Sequence, residues 1–132
     1  MNEIKNKFIK NKFELEGNVA NINDVYINQN GKKILRFDLA QNSVNDTQFI
    51  PVVLKSELAT SYGSQIQKGD WISIKGKICT YSKDIEKDGK IYKDKNIDIL
   101  AFEIEDKKKH IRYLSNGQTE QLSNDKNDSF ER

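Results

Sequence analysis

The stretch from Phe49 to Ile78 constrains the fold most. An apolar run, Phe49–Leu54, carries the chain's single proline and leads into a helical stretch. A Lys68-Gly69-Asp70 step then opens an alternating run at Trp71. A short, nearly all-apolar run reads as a strand covered on both faces. Pro51 within it has no N–H to give a ladder, which calls for an edge position or a bulge. In the helical part Ser56 is placed to cap the start, Leu58, Ala59 and Tyr62 fall on one side, and Gly63 can end it. After the Lys-Gly step, Ile72, Ile74, Gly76 and Ile78 alternate with Trp71, Ser73, Lys75, Lys77 and Cys79. That period predicts a half-buried strand reaching about Tyr81.

The flanking segments are strands as well. Phe13, Leu15, Gly17, Val19 and Ile22 follow one face while Glu14, Glu16 and Asn18 take the other, and the glycine inside the run predicts a bulge or bend. Asn30-Gly31 is a hairpin signal, followed by a strand over Ile34–Ala40 with Leu35, Phe37 and Leu39 on one face. Past Tyr81 a charged hairpin tip turns at Asp88-Gly89. A fifth strand, Asn96–Ile104, places Ile97, Ile99 and Ala101 together, with Ile104 out of phase and a register shift expected near Leu100. The order β-β-β-α-β-β is that of an all-β, five-stranded Greek-key barrel of the oligonucleotide/oligosaccharide-binding (OB) type, with the helix between strands 3 and 4. Closure hides sheet edges, which suits a small core.

Three segments are expected: a basic arm over residues 1–12 (or a leading strand), the barrel over 13–105, and a polar, disordered tail over 106–132. In the tail periodicity stops, and a short helix over Lys107–Leu114 is the one alternative. The chain is 36% hydrophobic and 32% charged, so one domain with a modest core and a broad solvated surface follows. A net charge of +2 leaves the choice of partner to the distribution of charge rather than its sum. The single cysteine, Cys79, has no internal disulfide partner, and one histidine offers no metal-ligand spacing. No apolar run approaches the roughly 20 residues of a membrane span. The N-terminal segment lacks the apolar core of a signal peptide, so a cytoplasmic protein with no membrane role is expected.

"FIPVVLKSELA" and "QIQKGDWISIKGKICTYS" resemble the bacterial single-stranded DNA-binding protein family. The matching elements are Phe49-x-x-Val52-Val53, Leu58-Ala59, Lys68-Gly69 and Ile72-x-Ile74-x-Gly76-x-Ile78. "LEGNVAN", "GKKILRFDLAQN" and "DGKIYKDKNIDILAFEIE" agree in type and spacing over about Phe13–Glu105. The resemblance implies an OB fold, single-stranded DNA as partner, and a homo-oligomer, tetramer or dimer. It implies protection of DNA during replication or recombination, and the divergence points to a plasmid or phage version. It departs from the family where an aromatic is replaced by Lys55, and where Lys83 stands for the hairpin aromatic with Tyr81 two residues before it. The resemblance also implies replication proteins as partners, though the acidic tail tip through which the family recruits them is not seen in "NDKNDSFER".

Proteins of this kind hold phosphates in a cationic groove and stack bases on aromatic faces. Phe49, Tyr81 and Tyr92 are the candidate stacking residues, and Arg36, Lys55, Lys75, Lys77 and Lys83 the candidate phosphate contacts. Each has a plainer reading. Phe49 could be core, Tyr81 and Tyr92 could pair across strands, and the lysines of the hairpin alternate with acids as a solvated surface does. Trp71, outward beside Ile72, is read as an oligomer-interface residue, because interfaces are enriched in tryptophan. No nucleophile, carboxylate pair or phosphate-binding glycine loop stands in a catalytic pattern, so no enzyme activity, cofactor or metal is expected. The competing reading is an OB-fold dimeric adaptor, like primosomal proteins, that binds protein partners and nucleic acid only weakly.

Overall fold

The computed structural model describes residues 10–122; most of the basic arm and the last part of the tail lie outside the described residues. The strands are β1 (Phe13–Ile27), β2 (Lys33–Asn42), β3 (Thr47–Lys55), β4 (Trp71–Lys87), β5 (Lys90–Asp106), β6 (Ile111–Leu114) and β7 (Thr119–Gln121). One helix, α1 (Ser56–Ser61), follows β3. The ladder runs β3-β2-β1-β4-β5-β6-β7, and a short parallel pairing of Val52 and Val53 with Ile99 and Leu100 joins β3 to β5 and closes the barrel. This is the expected all-β OB architecture, with the helix between strands 3 and 4.

The alternation read from the sequence builds the core. Leu35, Phe37 and Leu39 of β2, Val52 and Leu54 of β3, and Ile72 and Ile74 of β4 are fully enclosed. Leu58, Ala59 and Tyr62 plug one end. The bend in β1 falls after Gly17. Register shifts lie between Val19 and Ile22 and between Ile22 and Val25, where extra β1 residues face β2 and curl the strand round the barrel. The shift foreseen near Leu100 is a bulge at Phe102, since Lys75 faces Glu103 while Gly76 faces Ala101. Gly76 is required there: a Cβ would stand 2.6 Å from the Leu100 carbonyl oxygen.

The Lys-Gly-Asp step is a clasp. Gly69, at φ +96°, donates its N–H to the Val19 carbonyl at 2.7 Å, and Val19 donates back to Asp70 at 2.9 Å. The Asp70 carboxylate accepts the Tyr62 hydroxyl at 2.7 Å and the Gln67 N–H at 2.9 Å. The end of the helical segment is thereby pinned to β1. Burial first, and then the neighbouring Asp70 carboxylate, push the Tyr62 hydroxyl above the ordinary tyrosine range. Pro51 lies on a stretch of β3 whose second edge meets β5 only at Val52 and Val53, the edge placement proline needs.

Three expectations are corrected. The cap of α1 is Lys55, with no side-chain hydrogen bond, and Ser56 instead adopts φ +56°. The fourth strand does not stop near Tyr81, nor does the fifth begin at Asn96: β4 and β5 stay paired out to Lys87 and Lys90, a two-stranded ribbon that makes the expected turn at Asp88-Gly89, both at positive φ. Finally, residues 106–122 are neither disordered nor helical. Asp106 Oδ1 accepts the Lys108 and Lys109 N–H groups, the chain turns, and β6 pairs with β5. Tyr113 is buried edge-on against Tyr62, with ring centroids 5.1 Å apart. The strands are four and three residues long, too short to show a period, and burial of Tyr113 holds them in place.

Candidate nucleic-acid interface

Residues facing each other across a ladder share a face of the sheet, so the registers map the outer surface. One row crosses β2, β3, β5 and β4 as Arg36, Val53, Leu100 and Lys77; a neighbouring pair is Ile34 with Lys55. Cys79 with Asp98 and Tyr81 with Asn96 continue the same face onto the β4–β5 ribbon, followed by Lys83 with Asp94 and Ile85 with Tyr92. Arg36, Lys55, Cys79, Tyr81 and Asp98 line a shallow depression of about 130 Å³ floored by Val53 and Leu100. The β1–β2 hairpin stands on one side of it and the ribbon on the other, and Tyr26, Asn28 and Asn30 form a second groove with Tyr81.

Arg36 is the hub. Its Nη1 donates to Asp98 Oδ2 at 2.7 Å, its Nε to the Tyr26 hydroxyl at 3.4 Å, and its guanidinium lies 5.2 Å from the centre of the Tyr81 ring. Burial would lower its proton affinity, but the bonds to Tyr26 and Asp98 outweigh that and raise it, so the charge is permanent. Part of that charge is spent on Asp98. Arg36 therefore orients the Tyr81 ring more than it offers a free cation. Lys55, Lys77 and Lys83 are exposed and make no ion pair among the described residues.

The other candidates separate from this cluster. Tyr92 is 51% exposed, opposite Ile85 rather than Tyr81, so the two tyrosines do not pair across the strands. Both occupy the same ribbon face, and Tyr81 is 37% exposed at its base. Phe49 is not core: it is 55% exposed on the outer face, opposite Ala40. Lys75 sits between Glu14 of β1 and Glu103 of β5 and pairs with Glu103 at 3.6 Å, which Arg112 also reaches at 3.3 Å, so its charge is largely answered by neighbours. Trp71 is 47% exposed; its indole N–H donates to Glu16 Oε2 at 2.6 Å, and Lys107 Nζ lies 5.9 Å from the ring. On the ribbon Lys93 pairs with Asp84 at 2.8 Å.

Tyr26 and Asp98 belong to the site and were not singled out in the sequence. Tyr26 had one signal, an aromatic at a strand end beside a hairpin turn. Asp98 had none, because it interrupts Ile97 and Ile99 as any outward residue of a strand would. Among the described residues no group of three or more His, Cys, Asp or Glu side chains could hold a metal ion, and no helix is long and apolar enough to cross a membrane.

Comparison with known proteins adds one match: the model of the single-strand binding protein family aligns with residues 10–105. A search of curated proteins returned no match.

Proposed function

The chain belongs to the single-strand binding protein family, and from that premise we propose that single-stranded DNA lies on the outer face of β2, β3, β5 and β4, held without strong sequence preference. The observation that carries this is the convergence of Arg36, Lys55, Tyr26 and Tyr81 on one depression between the β1–β2 hairpin and the ribbon, where OB folds take oligonucleotides. Bases stack on Tyr81 at the base of the ribbon, on Tyr92 further out, and on Phe49 along β3. Each stacked base contributes on the order of 1–3 kcal/mol. Phosphates meet Lys55, Lys77 and Lys83. With few aromatics and several lysines, binding is more salt-dependent than stacking-rich relatives would show.

The biological reading is protection of exposed strands during replication, recombination or plasmid and phage transfer, by a cytoplasmic homo-oligomer, dimer or tetramer. Support for self-association comes from β1. Past Val19 its ladder is with β2 alone among the described residues, and Ile22, Val25 and Ile27 are exposed along that stretch. An open, apolar strand edge is a template for pairing.

Fluorescein-labelled oligo-dT of about 35 nucleotides, followed by anisotropy at low and moderate salt with a duplex competitor of equal length, tests the reading. Tight binding that the duplex does not compete away is expected. Absence of binding at low salt would sink it and leave the protein-adaptor reading.

A further inference from the structure

The ladder registers place a second aromatic pair on the outer surface. Trp71 faces Asn18, Asn18 faces Ala40, and Ala40 faces Phe49. Trp71 and Phe49 thus stand on one row with β1 and β2 between them, about 14 Å apart at roughly 4.8 Å per strand. The residues between are small or amide-bearing. Ala40 leaves room, and Asn18, Gln41 and Gln48 line the resulting groove of about 570 Å³. Asn18 Nδ2 donates to the Gly69 carbonyl, Gln41 Nε2 to the Glu16 carbonyl and Gln48 Nε2 to Gln41 Oε1. That leaves the second N–H of each amide and the Asn18 and Gln48 carbonyl oxygens to meet the donors and acceptors of a base edge.

On its other side Trp71 borders a second groove, with Lys68, Lys108 and Lys109 on the rim. All three lysines are exposed and none forms an ion pair among the described residues. The acids nearby are engaged within the fold: Asp70 accepts from Tyr62 and Gln67, Asp106 from Lys108 and Lys109 N–H, Glu16 from the indole, and Asp46, in the groove between Trp71 and Phe49, from Thr47 N–H. An interface core is depleted of charge, whereas this tryptophan stands among lysines and carboxylates, with Glu16 on its indole N–H. That setting matches a nucleotide: phosphate on the cations, base on the indole, base edge toward the amides.

Resting on the reading that the protein binds single strands, we infer that Trp71 with Lys68, Lys108 and Lys109 forms a second contact patch for the same strand, joined to the first along β3 through Phe49. The strand path runs from the ribbon base past Arg36 and along β3 to Phe49, then across β2 and β1 to Trp71. Nothing in the first patch requires the second, and the turn carrying Lys108 and Lys109 lies beyond the residues that match the family.

Trp71 is the only tryptophan, so its emission reports this patch alone. The full chain is titrated with oligo-dT of about 35 nucleotides, reading tryptophan emission and, with a labelled oligonucleotide, anisotropy. Emission is expected to be quenched as anisotropy rises. In Lys68→Gln/Lys108→Gln/Lys109→Gln binding should persist through the first patch. The quench should be largely lost, and the slope of log affinity against log salt should flatten by about 2, at about 0.7 per phosphate contact. Normal binding with unchanged emission and an unchanged slope in the triple variant would overturn the patch and leave the function standing. So would Trp71→Ala that lowers the sedimentation mass while DNA affinity holds, since Trp71 would then be a subunit contact. No rise in anisotropy at low salt would instead overturn the function itself.

Discussion

Asp98→Asn separates stability from binding in an unusual way. Asp98 holds the Arg36 guanidinium at 2.7 Å, with side chains 10% and 32% exposed respectively. Removing one partner of a fully buried pair costs about 3–5 kcal/mol, and an exposed pair contributes about 0–1 kcal/mol. The intermediate exposure, and the acceptor oxygen that asparagine retains, place the loss near 2 kcal/mol. For a domain of this size that lowers Tm by roughly 8 °C. Binding should move the other way. The substitution removes the one carboxylate of the depression and frees a permanent cation to meet a phosphate. One added phosphate contact steepens the salt slope by about 0.7 for a single strand. Between about 1 M and about 50 mM salt that slope amounts to about an eightfold tighter complex at the lower salt, with the two proteins converging at the higher. Thermal unfolding followed by circular dichroism, and anisotropy across a salt series, read the two effects. A variant that is destabilised but binds more weakly at every salt would refute the reasoning, since Arg36 would then need Asp98 to be in place for DNA.

Other expectations follow from the same geometry. Tyr81→Ala should weaken oligo-dT binding about 5- to 150-fold, the equivalent of about 1–3 kcal/mol of stacking, while leaving the salt slope unchanged, whereas Lys55→Gln should flatten that slope by about 0.7. Phe49→Ala, a change at an exposed ring, should weaken binding with Tm shifted by less than about 2 °C in the same melts. Gly76→Ala must push against the Leu100 carbonyl and should cost about 1–3 kcal/mol in urea unfolding. The Tyr62 and Tyr113 hydroxyls are both raised above the usual 10.0, chiefly by burial and then by neighbouring carboxylates. The folded state therefore keeps them neutral where the unfolded chain ionises. Stability is full below pH 10 and should fall as pH rises past it, more gently in Tyr62→Phe; equal alkaline slopes in the two proteins would argue against this.

Periodicity of two and the turn chemistry of Asn30-Gly31 and Asp88-Gly89 are local properties, which is why the barrel strands, their order and the helix between the third and fourth were legible in the chain alone. The family motif likewise lies within Phe13–Glu105, so the partner class could be read there. What a residue does at the surface is another matter. Lys55, Lys77 and Lys75 are alike in sequence, yet Lys75 is flanked by Glu14 and Glu103 because β1 and β5 happen to register there. Arg36 meets Asp98, 62 residues away, only because β3 closes against β5. Trp71 and Phe49 share a row only through two intervening ladders. The β6–β7 hairpin escaped notice because seven strand residues are too few for a pattern, and burial of Tyr113 against Tyr62 holds it. Sequence carries what neighbours along the chain impose; pairings across the barrel, decided by closure and register, assign the charges and rings to a site.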